Sequence, residues 1–331
     1  MPTLKLRFPS GRYHATPWGH HVNEGLIEWP PSPWRLLRAL IAVGFATQGW
    51  TDVPPLAKSL IGKLAAVLPS YQLPTGITAA HTRHYMPYIE GKNQKTTLVW
   101  DTFANVGNGE ICVHWPCEIT SDETALLAAL ARDVSYLGRR ESWAEAELIP
   151  DVSISSEEFN AFPCEGGPHD QHYEQVSLMA PVPADEYLAW RNNTTASGIT
   201  KIEKPEEKKK APARTLKERA KLQEPFPSDL ITCLTKDTSW WKSYGWSQPP
   251  GSQRVLYWRP GQPMGVTAPR PRQHRELPPV QMMLLALTTP GGNKSALPSI
   301  TRTLPQAELL HKALISKLGV PGGRSLLGWL P

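Results

Sequence analysis

An α+β chain of the split βαβ, ferredoxin-like plan is predicted by the order of elements over the first 150 residues: strand, helix, hairpin, helix, strand. Three observations carry that expectation. TLKLRF at 3–8 alternates apolar and polar residues; PPSPWRLLRALIAV at 30–43 acquires helical periodicity behind its prolines; and residues 77–115 alternate like hairpin strands around a polar tip.

Each element has a local reason. The strand at 3–8 is followed by GRYHATPWGHHVNEG at 11–25, too rich in Gly, His and Pro for regular structure. Ser32 and Pro33 supply an N-cap and a first-turn proline, after which Leu37, Leu40, Ile41 and Phe45 form a stripe to cover a sheet, with Arg35 and Arg38 on another face. KTTLVWDTF at 95–103 reads as a strand of an extended hairpin whose tip is Glu90–Lys95. In ICVHW, Ile111, Val113 and Trp115 alternate with Cys112 and His114. Thr120 and Glu123 make a capping box ahead of Leu126, Leu127, Leu130 and Val134, Gly138 is expected to end that helix, and a strand near Leu148 closes the set.

The sequence divides into a first domain at 1–150, an irregular charged insert at 151–230 with 201–221 flexible, and a second α+β part at 231–331. That last part has strands at VLYWR (255–259) and VQMMLLALTT (280–289) and a helix at 304–319 with the stripe Leu309, Leu310, Leu314, Leu318. It reads as an incomplete or atypical second ferredoxin-like half.

Composition excludes several classes. Hydrophobic residues at 40% and charged residues at 20% describe a folded protein that is neither disordered nor membranous. No apolar run is long enough to span a bilayer, MPTLKLRFPS lacks signal-peptide character, and Cys112, Cys117, Cys164 and Cys233 are too few for a disulfide framework, so a cytoplasmic location is expected. Phosphate-loop, dinucleotide and nucleophile-elbow motifs are missing. Cys164, His169 and His172, and Cys112, His114 and Cys117, lack paired zinc spacing and a fourth ligand; no metal or cofactor is expected. The net charge of +5 equals the local excess of residues 201–221, which reads first as a solvated linker and second as an arm on nucleic acid. A sharper signal is Arg254, Arg259, Arg270, Arg272 and Arg275, set among Tyr257 and Trp258 without an acid between 251 and 275.

Candidate functional residues cluster early. His14, His20 and His21, with Arg12, Tyr13, Arg35 and Arg38 nearby, make an acid–base kit for metal-free attack of a ribose 2′-hydroxyl on its phosphate. The same loop, with Trp18 and Pro17, equally suits stacking on bases and bridging to phosphates. On the hairpin, His81, Arg83 and Tyr85 share one face and His84 takes the other, a pattern for gripping splayed nucleotides or simply an amphipathic strand. Arg139 and Arg140 follow a helix end, where the dipole alone favours cations.

GRYHATPWGHHVNEG, EWPPSPWRLLRAL, HTRHYMPY with TTLVWDTF, and SYLGRRESW, in that order, resemble the Csb-two family of type I-G (formerly I-U) CRISPR systems, a RAMP-superfamily subunit. The resemblance covers the first 150 residues and is thinner over 230–318. It implies an RRM-like RAMP domain of Cas-five type that binds the 5′ handle of CRISPR RNA with a hairpin thumb, caps the backbone filament of Cascade beside Cas-seven-like and large subunits, and meets target DNA only indirectly. Arg12, His14, Trp18, His20, His21, Arg35, Arg38, His81, Arg83, His84, Tyr85, Arg139, Arg140, Arg254 and Arg259 are the expected RNA contacts. The family's glycine- and histidine-rich processing region of Cas-six type is not matched by the C-terminal GVPGGRSLLGWLP, so the resemblance implies RNA binding more strongly than cleavage. Three readings stay open: an RNA-binding subunit, a metal-independent endoribonuclease that retains its product, and a protein-only interaction module.

Overall fold

Alternation at the N-terminus becomes the strand β1 (Thr3–Arg7), around which a four-stranded sheet is assembled. The structure, a computed structural model, describes residues 1–21, 24–149, 158–164, 172–203, 212–261, 308–313 and 316. Following β1 come β2 (Arg12–Tyr13), α1 (Pro33–Thr47), α2 (Pro55–Ala65), β3 (Ser70–Gln72), β4 (Thr78–Glu90), β5 (Asn93–Asn105), β6 (Glu110–His114), α3 (Ser121–Arg132) and β7 (Glu145–Ile149). Then come β8 (Phe162–Pro163), β9 (Tyr173–Pro181), α4 (Ala184–Glu203), α5 (Pro212–Gln223), α6 (Leu230–Thr235), α7 (Thr238–Ser243) and β10 (Ser252–Pro260). The fold is mixed α+β with antiparallel sheets. Residues 1–270 form one compact unit and residues 271–331 another. Within the second, 308–313 and 316 are helical; VQMMLLALTT, Leu314, Leu318, Arg270, Arg272 and Arg275 lie outside the described residues.

The first sheet has the order β3-β6-β1-β7, every neighbour antiparallel, with Leu4 opposite Val113 and Leu148, and Leu6 opposite Ile111 and Ala146. Leu4, Leu6, Ile111, Val113 and Ala146 are buried. Lys5, Arg7, Glu110, Glu145 and Glu147 alternate to the other face, where they pair with one another. Ser32 caps α1 by accepting from the Arg35 N–H, and Pro33 occupies its first turn. Leu37, Leu40 and Ile41 are buried as the periodicity predicts. Phe45 instead stands at the helix end, 40% exposed, edge-on to Trp50.

Several elements escape the sequence reading. The stripe Ala57, Leu60, Ile61, Leu64 behind Pro54–Pro55 forms α2, and the three residues of β3 are too few to show alternation. Gly138 does not end α3, which stops at Arg132; with φ +87 it instead turns a later loop. Residues 173–203 and 212–223, expected to be irregular, form β9, α4 and α5; α4 packs on α5 and α6, so tertiary contact supplies what its weak amphipathicity does not. The strand read at 255–259 is β10, centre of a second sheet β8-β10-β9. Fully buried Tyr71 and Tyr257 join the two sheets: their rings meet at 5.8 Å, and their hydroxyls donate to the carbonyls of Pro31 and Pro69.

The capping box of α3 does more than start a helix. Glu123 accepts from the Thr120 N–H at 2.7 Å, and its carboxylate also takes Ser59 Oγ (2.6 Å) and Lys63 Nζ (2.7 Å) from α2. Lys63, Ser59 and the backbone N–H hold its pKa down at about 2, against an ordinary 4.5. A carboxyl with a depressed folded pKa contributes stability that is present above pH 4.5 and lost as pH falls from there through about 2. We therefore expect Glu123→Gln to lower stability at pH 7 by about 1–3 kcal/mol, since a charged acceptor is lost. Thermal melts of both proteins from pH 7 to pH 3 should show the gap closing with acidity; a constant gap contradicts this.

Candidate functional site

The short strand β2 pairs Arg12 with Asn105 and Tyr13 with Ala104 of β5, which ties the first loop to the base of the hairpin. Tyr13 is buried, its ring 5.2 Å from Phe8 and 5.9 Å from Trp29. The next residue, His14, is held at every polar atom but one. Its N–H donates to Ser142 Oγ (2.7 Å), its carbonyl accepts from the Arg139 N–H (2.9 Å) and from Ser142 Oγ (3.3 Å), and Nδ1 lies 2.6 Å from Glu141 Oε1. A Cβ on Gly138 would stand 2.5 Å from the His14 carbonyl oxygen, so this close approach requires glycine. Burial lowers the His14 pKa, and Arg139 acts in the same sense, outweighing Glu141. The ring is therefore neutral at pH 7, and its Nε2 is buried without a hydrogen-bond partner among the described residues.

Above this lock projects the arm formed by β4 and β5, thirteen residues each, turning at Gly91 with φ +64. Pairing puts His84 opposite Val99 and Arg83 opposite Trp100. On one face His84 Nε2 meets Thr82 Oγ1 (2.9 Å) and Asp101 Oδ2 (3.1 Å), while Arg139 approaches the other Asp101 oxygen at 3.6 Å. Arg12 lies 5.2 Å over the Phe103 ring on the same face. Four residues proposed from sequence, Arg12, His14, His84 and Arg139, thus gather around Asp101 and Phe103. His81, Arg83 and Tyr85 occupy the opposite face of the arm, with Tyr85 67% exposed. Arg140 is exposed beside Arg139. Both follow α3 by several residues, so its dipole does not account for them.

Of the remaining candidates, Arg35, Arg38 and Arg259 are turned inward as braces, whereas His20, His21 and Arg254 are hydrogen-bonded yet stay exposed. Arg35 forks onto Glu28 (2.6 and 3.1 Å) and donates to the Thr16 carbonyl (3.0 Å). Burial opposes its charge, but Glu28 more than offsets that and raises its pKa. Arg38 donates to the carbonyls of Leu234 (2.8 Å) and Lys236, tying α1 to the end of α6. Arg254 donates to the Trp18 carbonyl, and Arg259 to Glu174 and the Trp29 carbonyl. Trp18 Nε1 donates to the Ser247 carbonyl (2.8 Å); Glu24 takes His20 Nδ1 (2.7 Å) and the His21 N–H (2.8 Å). The sequence reading found the cations and missed their partners Glu28, Asp101, Glu141 and Ser142. Only Glu28, one turn before the N-cap, carried a local signal.

Among the described residues no three His, Cys, Asp or Glu side chains are placed to hold a metal, and no helix is long and apolar enough to cross a membrane. His169 lies outside the described residues.

Two outcomes follow from the lock. Ser142→Ala strands the buried His14 N–H and should cost about 1–3 kcal/mol in denaturant unfolding; an unchanged midpoint contradicts it. A histidine whose folded pKa is lowered contributes stability present above pH 6.5 and lost as pH falls below it. An NMR titration should place the His14 midpoint below 6.5; a midpoint above that contradicts the burial.

No protein-family model matches the chain, and no curated protein matches it. Among solved structures, Cas6 of Thermus thermophilus is similar to this chain at 14% identity and a TM-score of 0.24, over 44% of this chain and 53% of that one. The match thus spans about half of that protein's length.

Proposed function

We propose that the chain is a subunit of a type I-G CRISPR interference complex that binds CRISPR RNA near its 5′ end. The arm β4–β5 and the edge formed by Arg12, Arg139 and Arg140 make the contact. One observation carries the reading. Segments far apart in sequence that bear the family resemblance converge at one place: His14 from the first loop, His84 and Asp101 from the arm, and Arg139 from SYLGRRESW. Arginine, histidine and exposed tyrosine on a projecting hairpin suit splayed nucleotides, whose phosphates take the cations and whose bases stack.

A ferredoxin-like first domain belongs to the same reading. What supports it is the order β3-β6-β1-β7, with α1 and α2 between β1 and β3 and α3 between β6 and β7, two βαβ units interleaved. The open face of that sheet is a poor platform for bases, because its cations Lys5 and Arg7 are neutralised by Glu110, Glu145 and Glu147. Exposed Met86, Tyr88 and Ile89 at the arm's tip suit a protein neighbour such as the backbone subunit. His14 is a poor general base, since that role needs a ring nitrogen facing the ribose and both of its nitrogens are withdrawn; a processing role would fall to the exposed His20 or His21.

Purified chain or complex should carry short RNA of uniform, repeat-derived 5′ end. Arg83→Ala and Arg140→Ala should each weaken binding and reduce the salt slope of log Kd by about 0.7–0.9 for each phosphate no longer neutralised. RNA-free preparations, or binding indifferent to salt, would contradict the proposal.

A further inference from the structure

On helices α4 to α7 lies a second surface whose chemistry is unrelated to the arm. An open groove of about 760 Å³ runs between α4–α5 and α6–α7, bordered by Arg191, Lys221, Glu224, Lys236, Trp240 and Tyr244. Arg191 donates from Nε to the Phe226 carbonyl at 3.1 Å, which holds the guanidinium, and among the described residues its terminal nitrogens meet no further acceptor. Lys217 and Lys221 are exposed one helical turn apart on α5, so they line the same face. Lys236 lies 5.1 Å over the Trp240 ring, and that ring is 4.7 Å from Tyr244. Among the residues that border the groove, Glu224 is the one carboxylate against the three cations Arg191, Lys221 and Lys236. The groove is therefore a cationic track with aromatic rings set into it.

The rings are positioned rather than loose. Asp237 caps α7 by accepting from the Trp240 N–H at 2.7 Å, and Trp240 meets the fully buried Trp241 edge-on at 4.6 Å. Part of the basic stretch read from sequence as a linker thus becomes α5, a helix that presents Lys221 to this groove. An open, positively charged surface with half-buried aromatics is badly matched to a small apolar molecule. It matches a chain that offers a negative charge and a flat ring at each step.

We propose that this groove binds single-stranded nucleic acid, with Arg191, Lys221 and Lys236 on phosphates and Trp240 with Tyr244 under a base. The shared chemistry is a phosphodiester chain with unpaired bases, from RNA or DNA. The site goes beyond guide-RNA binding by the arm and does not depend on it.

The test is fluorescence anisotropy of the full chain with labelled oligo(dT) and oligo(rU), in parallel for wild type, Lys221→Ala, Lys236→Ala, Trp240→Leu and the arm variant Arg83→Ala. Each lysine variant should weaken binding about three- to tenfold and reduce the salt slope by about 0.7. Trp240→Leu should weaken it about tenfold, because a base can no longer stack there. The lysine variants keep the test decisive if Trp240→Leu disturbs α7. Equal binding of both probes supports recognition through phosphate and base alone; a preference for oligo(rU) or for oligo(dT) identifies the strand the groove takes. Weakening confined to Arg83→Ala, or polyglutamate competing as well as the oligonucleotides, overturns the inference and leaves the arm's role standing. If wild type binds neither probe, the inference also fails.

Discussion

The grip of one short loop on the backbone of His14 is the constraint on which the proposed interface depends. Residues 137–142 reach back to the start of the chain, and Ser142 and Arg139 satisfy both backbone groups of His14. That exchange works only because Gly138 lets the chains approach within Cβ distance. It lies next to β2, whose Arg12 and Tyr13 pair with Asn105 and Ala104 at the base of the arm. It also delivers the Arg139 side chain to Asp101, the acid shared between loop and arm. A buried neutral histidine serves this purpose better than a charged one, because a stranded charge there would cost far more than a missing Nε2 bond.

Cations in this chain divide into two groups by what surrounds them. Arg35, Arg38 and Arg259 are half-buried or deeper and end on Glu28, on helix-terminal carbonyls, and on Glu174. They hold α1 and β10 in place, and the guanidinium fork suits that task because it satisfies two or three acceptors at once. Arg12, Arg83 and Arg140 stay at the surface of the arm and its base. On the open side of β1, β6 and β7, by contrast, the alternating charges pair off with one another. On the helical side of the molecule, Lys221, Lys236 and Arg191 repeat the surface pattern around tryptophan rather than histidine.

How much of this was legible follows from the range of each interaction. Caps are local, so α1, α3 and the turn of the hairpin could be placed from Ser32, from Thr120 with Glu123, and from the polar tip that holds Gly91. The stripe of α2 was equally local and simply went unread, whereas β3 and α4 have too little pattern of their own and exist because neighbours pack on them. The histidines and arginines of the interface announced themselves by type. Their partners did not: Glu141 is 127 positions from His14, and Asp101 joins His84 and Arg139 only once the register of the arm is known. For the same reason Arg35 and Arg38 read as a pair on another face from the apolar stripe, with no sign of the acceptors on neighbouring segments that engage them.

If the arm and its root hold RNA, ultraviolet cross-linking of the complex as purified, followed by mass mapping of the modified peptides, should report the contact directly. The account predicts cross-links on residues 81–85 and 139–143, with little on the open face of β1 and β6. Cross-links confined to that open face, or none at all within the first 150 residues of a complex that does contain RNA, would contradict it.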